Sequence, residues 1–224
     1  MLKDNKPIIN KPNPSIKKGS IIKKLLNFLD DTLLIFQKEN KGKVDTPEKE
    51  LNQKLSLTFE KCSRDKETGF LFQQETIQKQ SKGHSRSVDI GVFKLNGDLE
   101  NPIYTIEAKR LTTAFSDNRK KEYVSGNNNN KLTGGIERFK HNLHGINLKH
   151  SAIVGYVQKE NNKYWFKEIN KWIMELYNNF WNANDLLINT CGFKNDNIAK
   201  FKSTNKKINN TNINLNHYFV NLTN

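Results

Sequence analysis

Between Phe70 and Lys109 the chain runs three short β-forming segments almost back to back, and this block constrains the fold more than any other feature. Phe70 to Glu75 (Phe-Leu-Phe-Gln-Gln-Glu) is rich in residues that favour strands. In Val88-Asp89-Ile90-Gly91-Val92-Phe93, period-two geometry sends Val88, Ile90 and Val92 to one side and Asp89 and Phe93 to the other. An Asn96-Gly97-Asp98 turn leads into a third strand, Ile103 to Lys109. Helical periodicity flanks the block. Ile22, Leu25, Leu26, Leu29, Leu33 and Phe36 recur at helical spacing. Thr46-Pro47-Glu48 predicts a second helix, with Thr46 as N-cap, Pro47 at the first helical position, and Leu51, Leu55, Phe59 and Cys62 buried. A further helix is expected from about Gly134, with Ile136, Phe139 and Leu143 on one side. A strand follows at Ala152 to Val157, then a helix carrying Phe166, Ile169, Trp172, Ile173, Leu176 and Phe180. The polar tract from Lys194 to Asn214 predicts weak structure, and Leu215 to Leu222 a last strand. Helix, three strands, helix, strand, helix is the order of an α/β domain with a mixed sheet.

At 224 residues the chain is long enough for one domain with an appended terminal element. We divide it into a flexible basic arm at 1–19, an N-terminal helix at 20–40 and a main domain at 45–224. With 35% hydrophobic and 10% aromatic residues it can build a core. No apolar run approaches membrane-spanning length, and the N-terminus lacks the apolar stretch of a signal peptide, so a cytoplasmic protein without membrane contact is expected. Two distant cysteines, Cys62 and Cys191, exclude a disulfide framework and a cysteine zinc site. The formal net charge is +14. A surface this basic attracts nucleic acid. The alternative is a compositional bias toward Lys, Asn and Ile, so charge supports a function without identifying one.

The chemistry concentrates in Asp89 and Glu107-Ala108-Lys109. Glu107 and Lys109 share a face of the third strand, and a hairpin would bring Asp89 opposite Glu107. Two converging carboxylates suit a hard cation such as Mg²⁺. A lysine beside them could orient or help deprotonate a water, or stabilise charge on a phosphate. The alternative is a surface ion pair on a solvated sheet face.

Ser-Val-Asp-Ile-Gly-Val (Ser87 to Val92) followed by Tyr-Thr-Ile-Glu-Ala-Lys-Arg-Leu (Tyr104 to Leu111) resembles the PD-(D/E)XK nuclease superfamily. The element order from Thr46 to Val157, about half of the chain, also resembles that family's restriction-endonuclease-like αβββαβ core, a mixed central sheet flanked by helices. The sequence departs from the pattern at Val88, where the family has proline. The resemblance implies Asp89 and Glu107 as metal ligands, Lys109 as the catalytic lysine, and the Ala108 carbonyl facing the metal. It implies a glutamate from the first core helix, for which Glu50 is chosen over Glu48 and Glu60, and a polar residue ending the fourth strand, here Gln158. The expected activity is Mg²⁺-dependent hydrolysis of DNA phosphodiester bonds, with Mn²⁺ as a substitute. Restriction or phage defence is the expected setting; repair or junction cleavage, or a non-cutting DNA-binding subunit, are the alternatives. A homodimer and a methyltransferase or ATPase partner would be compatible. The helix from Ile22 to Phe36 would either supply a dimer interface or pack on its own domain.

Other residues are weaker candidates. Arg86, after His84 and Ser85, is placed for phosphate contact. Arg138, in the helix opened by Gly134 and Gly135, either assists phosphate binding or is solvated beside Glu137. Glu75 reads as a strand-edge carboxylate, His141 and His144 as solvated helix histidines, and Trp165, Trp172 and Trp181 as core. The four asparagines Asn127 to Asn130 read as a flexible loop.

Overall fold

The computed structural model describes residues 18–78, 86–114, 116–128, 131–178, 180–190, 192–193 and 196–223. Of the arm at 1–19, residues 1–17 lie outside them, as do His84, Ser85 and Cys191, whereas Lys18 and Gly19 open the first helix. Two helices, α1 (Lys18–Asn40) and α2 (Glu48–Asp65), precede strands β1 (Phe70–Gln78), β2 (Arg86–Lys94) and β3 (Tyr104–Leu111). A one-turn helix α3 (Asp117–Lys120), a two-residue hairpin of β4 (Asn127–Asn128) and β5 (Lys131–Leu132), and α4 (Gly135–Lys140) cross over to β6 (His150–Val157). Then come α5 (Asn162–Glu175), β7 (Ile188–Asn189), β8 (Ile198–Lys206) and β9 (Asn212–Asn221).

Seven strands form one mixed sheet in the order β1-β2-β3-β6-β9-β8-β7. β3, β6 and β9 run parallel; the flanking pairs are antiparallel. Strand alternation feeds two cores. Ile90, Val92, Ile106, Ala108, Val154 and Tyr156 face α1 and α2, whereas Leu111, Ile153 and Val157 face α5 and α4. Glu107 and Lys109 share the face of Leu111 by the same alternation. The stripe Leu25, Leu29, Leu33 and Phe36 of α1 is buried in the core that holds Leu51, Leu55 and Phe59 of α2. Lys200 of β8 pairs with Asp30 of α1 at 2.7 Å. The N-terminal helix therefore packs on its own domain. Among the described residues no helix is long and apolar enough to cross a membrane.

Four sequence expectations need correction. α2 begins at Glu48, with Pro47 as an N-cap lacking a side-chain bond, so Thr46 lies outside the helix, and its carbonyl is taken by Gln158. α5 stops at Glu175, before Phe180. Asn127 and Asn128 pair antiparallel with Leu132 and Lys131 where a loop was expected, and Asn129 and Asn130 lie outside the described residues. The largest departure is the polar tract: 198–206 is a nine-residue strand whose inward residues are Ala199, Phe201, Ser203 and Asn205. Two of these four are polar, so the hydrophobic alternation that marks a strand is missing, yet their side chains are hydrogen-bonded inside.

Candidate active site beside strands β2 and β3

The β2–β3 ladder is paired through Ile90–Ile106. One residue further, the Asp89 carboxylate takes up a backbone donor: its Oδ2 accepts from the Ala108 N–H at 2.7 Å. Asp89 is thus held against the segment that carries Glu107 and Lys109, as the hairpin reading required. Across β2, Glu75 lies between the Gln74–Ile90 and Thr76–Val88 pairs with φ 50°. A side chain in this left-handed region costs roughly 1–2 kcal/mol. Glu75 itself is exposed.

Glu107 is 1% exposed and meets three basic side chains. Its Oε1 lies 2.9 Å from both Lys109 Nζ and Arg138 Nη1, and its Oε2 lies 3.2 Å from His144 Nδ1. Arg138 also donates through Nε to the Leu132 carbonyl at 3.1 Å. Burial alone would raise the Glu107 carboxyl, but Lys109, His144 and Arg138 together hold it well below the usual carboxylate range. Asp89 behaves oppositely. Burial, reinforced by Glu107 and Glu48, pushes it up to about 8 despite Lys109 and the Ala108 N–H. Lys109 loses solvation, yet Glu107, Glu48 and Asp89 raise it above the usual lysine value, so it is a cation at neutral pH.

Of the helix glutamates, Glu48 rather than Glu50 lies beside Lys109. Glu48 Oε1 lies 3.5 Å from Lys109 Nζ, and its Oε2 accepts from the Arg110 N–H at 3.0 Å. The reason is angular: a helix turns ~100° per residue, so Glu48 is three and seven positions from the core residues Leu51 and Leu55, on their face. Glu50 is displaced from that face; it pairs with Lys54 and its side chain is 51% exposed. Glu60, the other rival, accepts from the Phe72 N–H and pairs with Arg64.

Gln158 is fully buried at the end of β6. Its Nε2 donates to the carbonyls of Thr46 (2.8 Å) and Lys43 (3.2 Å), and its Oε1 accepts from Arg110 Nε. It therefore ties the linker before α2, and so the start of the helix carrying Glu48, to the sheet. A cleft of about 270 Å³ opens here, lined by Pro47, Glu48, Lys49, Lys109, Arg110, Arg119, Glu122 and Tyr123. Four of these eight residues are basic, which suits a phosphate. Arg86 lies in β2, with its side chain outside the described set.

Two residues depart from the sequence reading. Arg138, its side chain 23% exposed, is drawn onto Glu107. His144 is not a surface histidine; it is 1% exposed beneath Glu107. Neither contact has a sequence signal, because both join the α4 region to a strand some 30 residues earlier. His141 does pack peripherally, edge-on to Phe180 at 5.0 Å.

The donor chemistry fits a hard cation bound partly by water. Loss of solvation, with Glu107 and Glu48 alongside, raises the Asp89 carboxyl, and a cation would stabilise its ionised form. Among the described residues no three carboxylate, imidazole or thiol groups close a complete metal cage. Comparison with protein-family models, with curated proteins and with solved structures finds no match to this chain.

Proposed function

We propose that the chain is a Mg²⁺-dependent endonuclease that hydrolyses DNA phosphodiester bonds, with a restriction-endonuclease-like core formed by α2, β1, β2, β3, α4 and β6. The observation that carries this reading is the convergence of Asp89, Glu107, Lys109 and Glu48 from three elements, with Lys109 Nζ 2.9 Å from Glu107 and 3.5 Å from Glu48. Asp89 and Glu107 would hold the metal, with the Ala108 carbonyl as a further donor. When bound, Mg²⁺ supplies charge neutralisation at the phosphate and a more acidic water. Because its acidic neighbours keep Lys109 protonated, it orients the water and stabilises charge on the phosphate instead of taking a proton. Glu48, on the cleft wall, is the carboxylate placed to accept that proton. Lys49, Arg110 and Arg119 grip the backbone without reading sequence. Restriction or phage defence is the setting we favour, with DNA as the partner, a homodimer for double-strand cutting, and a methyltransferase or ATPase as possible companions.

Cleavage of supercoiled plasmid tests this. Nicking should require Mg²⁺ or Mn²⁺, stop with EDTA and be lost in Lys109→Ala. Nicking that survives EDTA or the substitution refutes the site. One observation favours a second reading, a DNA-binding subunit that does not cut: both oxygens of Glu107 already face basic side chains. Tight DNA binding with no cleavage of linear, supercoiled, methylated or junction DNA would select it.

A further inference from the structure

Beneath Glu107 lies a loop whose polar groups the proposed reaction leaves unused. It joins α4 to β6 and contains His144. The imidazole Nδ1 is 3.2 Å from Glu107 Oε2, yet neither ring nitrogen completes a hydrogen bond. The ring otherwise meets Phe139 edge-on at 5.7 Å. Leaving a buried polar group unsatisfied costs about 1–3 kcal/mol, so the surrounding structure must enforce this placement.

The enforcement is visible in the backbone. Asn142 and Gly145, on either side of His144, are both left-handed, with φ 56° and 58°. A Cβ at Gly145 would stand 3.0 Å from Ser151 Oγ and 3.1 Å from Ile213 Cδ1, so the loop is also tightly packed. Lys207, just past β8 and only 2% exposed, reaches into the same loop. Its ammonium donates to the carbonyls of Gly145 (2.6 Å), Ile146 (3.1 Å) and Leu148 (3.3 Å), and to Asn142 Oδ1 (3.3 Å). All four described partners are uncharged, an arrangement that compensates burial of a cation poorly; burial accordingly pushes Lys207 down to about 8. A tightly packed, cation-clamped loop is costly as a mere connection. It carries the histidine under Glu107.

We propose that Lys207 and the 142–148 loop form a positioning device that seats His144 against Oε2 of Glu107, fixing the carboxylate so that Oε1 meets Lys109 and Arg138. His144 is then a positioning residue that acts on the metal through Glu107. This rests on the reading of Glu107 as a metal-holding carboxylate.

The test uses the full chain, Mn²⁺ binding followed by paramagnetic resonance, and plasmid nicking across a Mg²⁺ titration. His144→Ala should raise half-saturating Mn²⁺ and Mg²⁺ by about tenfold or more, the usual effect of losing a group that orients a metal ligand. His144→Gln, which keeps a polar group beside Oε2, should recover most of the loss. Lys207→Met should shift the titration the same way, and the double variant should be no worse than His144→Ala, because both act through one contact. Should Lys207→Met fail to fold, the Ala and Gln variants at His144 still decide. A folded His144→Ala with wild-type half-saturation overturns the proposal, as does strict additivity in the double variant. The parent reading fails differently: there the wild-type chain neither binds Mn²⁺ nor cuts, and the positioning role falls with it.

Discussion

Two buried polar networks flank the same sheet, and their contrast separates scaffold from site. The first runs through β8 and β9. Lys140 Nζ donates to Asp185 Oδ1 at 2.7 Å, Asn205 Nδ2 donates to the same oxygen at 2.7 Å, and Ser203 Oγ donates to Asn205 Oδ1 at 2.8 Å. Ser203 Oγ then accepts from His217 Nε2 at 2.8 Å, which leaves Nδ1 to accept from the Tyr123 hydroxyl at 2.9 Å. The chain closes with every described member partnered, and the Phe180 and Trp181 rings cover the Lys140 ammonium at 4.6 and 4.8 Å. The second network, around Glu107, opens onto a cleft and does not close. It contains a carboxyl that resists ionising, Asp89, and an imidazole without a hydrogen bond, His144. Closed networks rigidify a fold; a network left electrostatically unsatisfied beside a cleft is the arrangement that a ligand completes.

The sharpest way to break this comparison is Asp185→Ala. It leaves the buried Lys140 ammonium unpaired, and urea denaturation should report a loss of about 3–5 kcal/mol. Combining Asp185→Leu with Lys140→Met should restore most of that stability. A small effect would mean the chain through β8 is not the scaffold described here. On the site side, Lys109→Ala should lower the nicking rate by about 10²–10³-fold, in line with loss of a preorganised charge-stabilising group, while its denaturation midpoint moves far less than that of Asp185→Ala.

Acid titration distinguishes the networks by sign. His217 is held neutral by burial, its pKa lowered to about 3. Its contribution is fully present above the unfolded histidine value of about 6.5 and is lost as pH falls from there toward 3, by about 1.4 kcal/mol per unit. Asp89, raised to about 8, works the other way: its contribution is full below the unfolded value near 4 and is lost as pH rises toward 8. Between pH 4 and 6.5 the two slopes oppose each other in metal-free protein. Asp89→Asn should therefore unmask a decline of about 2 kcal/mol between pH 6.5 and 5. An unchanged pH profile in that variant would remove the claim that Asp89 is electrostatically frustrated. The smallest effects concern the helix carboxylates. Glu48→Gln should slow nicking by about tenfold or more, whereas Glu50→Gln, at an exposed ion pair, should leave activity intact and change stability by less than about 0.5 kcal/mol. Equal effects at the two positions would displace Glu48 from the site.

The legible and illegible parts divide along physical lines. Asp89, Glu107 and Lys109 could be paired from the sequence because strand alternation is local and the two strands are consecutive, joined by a single connection at 95–103 that holds the Asn96-Gly97-Asp98 turn. Glu50, chosen from the sequence, lies two residues and about 200° of helix rotation from Glu48, the glutamate that meets Lys109, although the core positions Leu51 and Leu55 already pointed to Glu48. Strand β8 was missed because Ser203 and Asn205 face inward, and their burial is compensated by Asp185 and His217, residues 20 and 14 positions away.

What the chain's own pattern determined is the α/β order and the row of acidic and basic groups on β2 and β3, since periodicity and turn chemistry act between neighbours. What only the tertiary structure decided is the set of charges that meet there. Arg138, His144, Gln158 and Lys207 reach their partners across 31, 37, 112 and 62 residues respectively. At such separations a polar residue looks the same whether it will be solvated or buried. Its role is set by the partner that packing brings to it, because burial of a charge is tolerable only where such a partner stands.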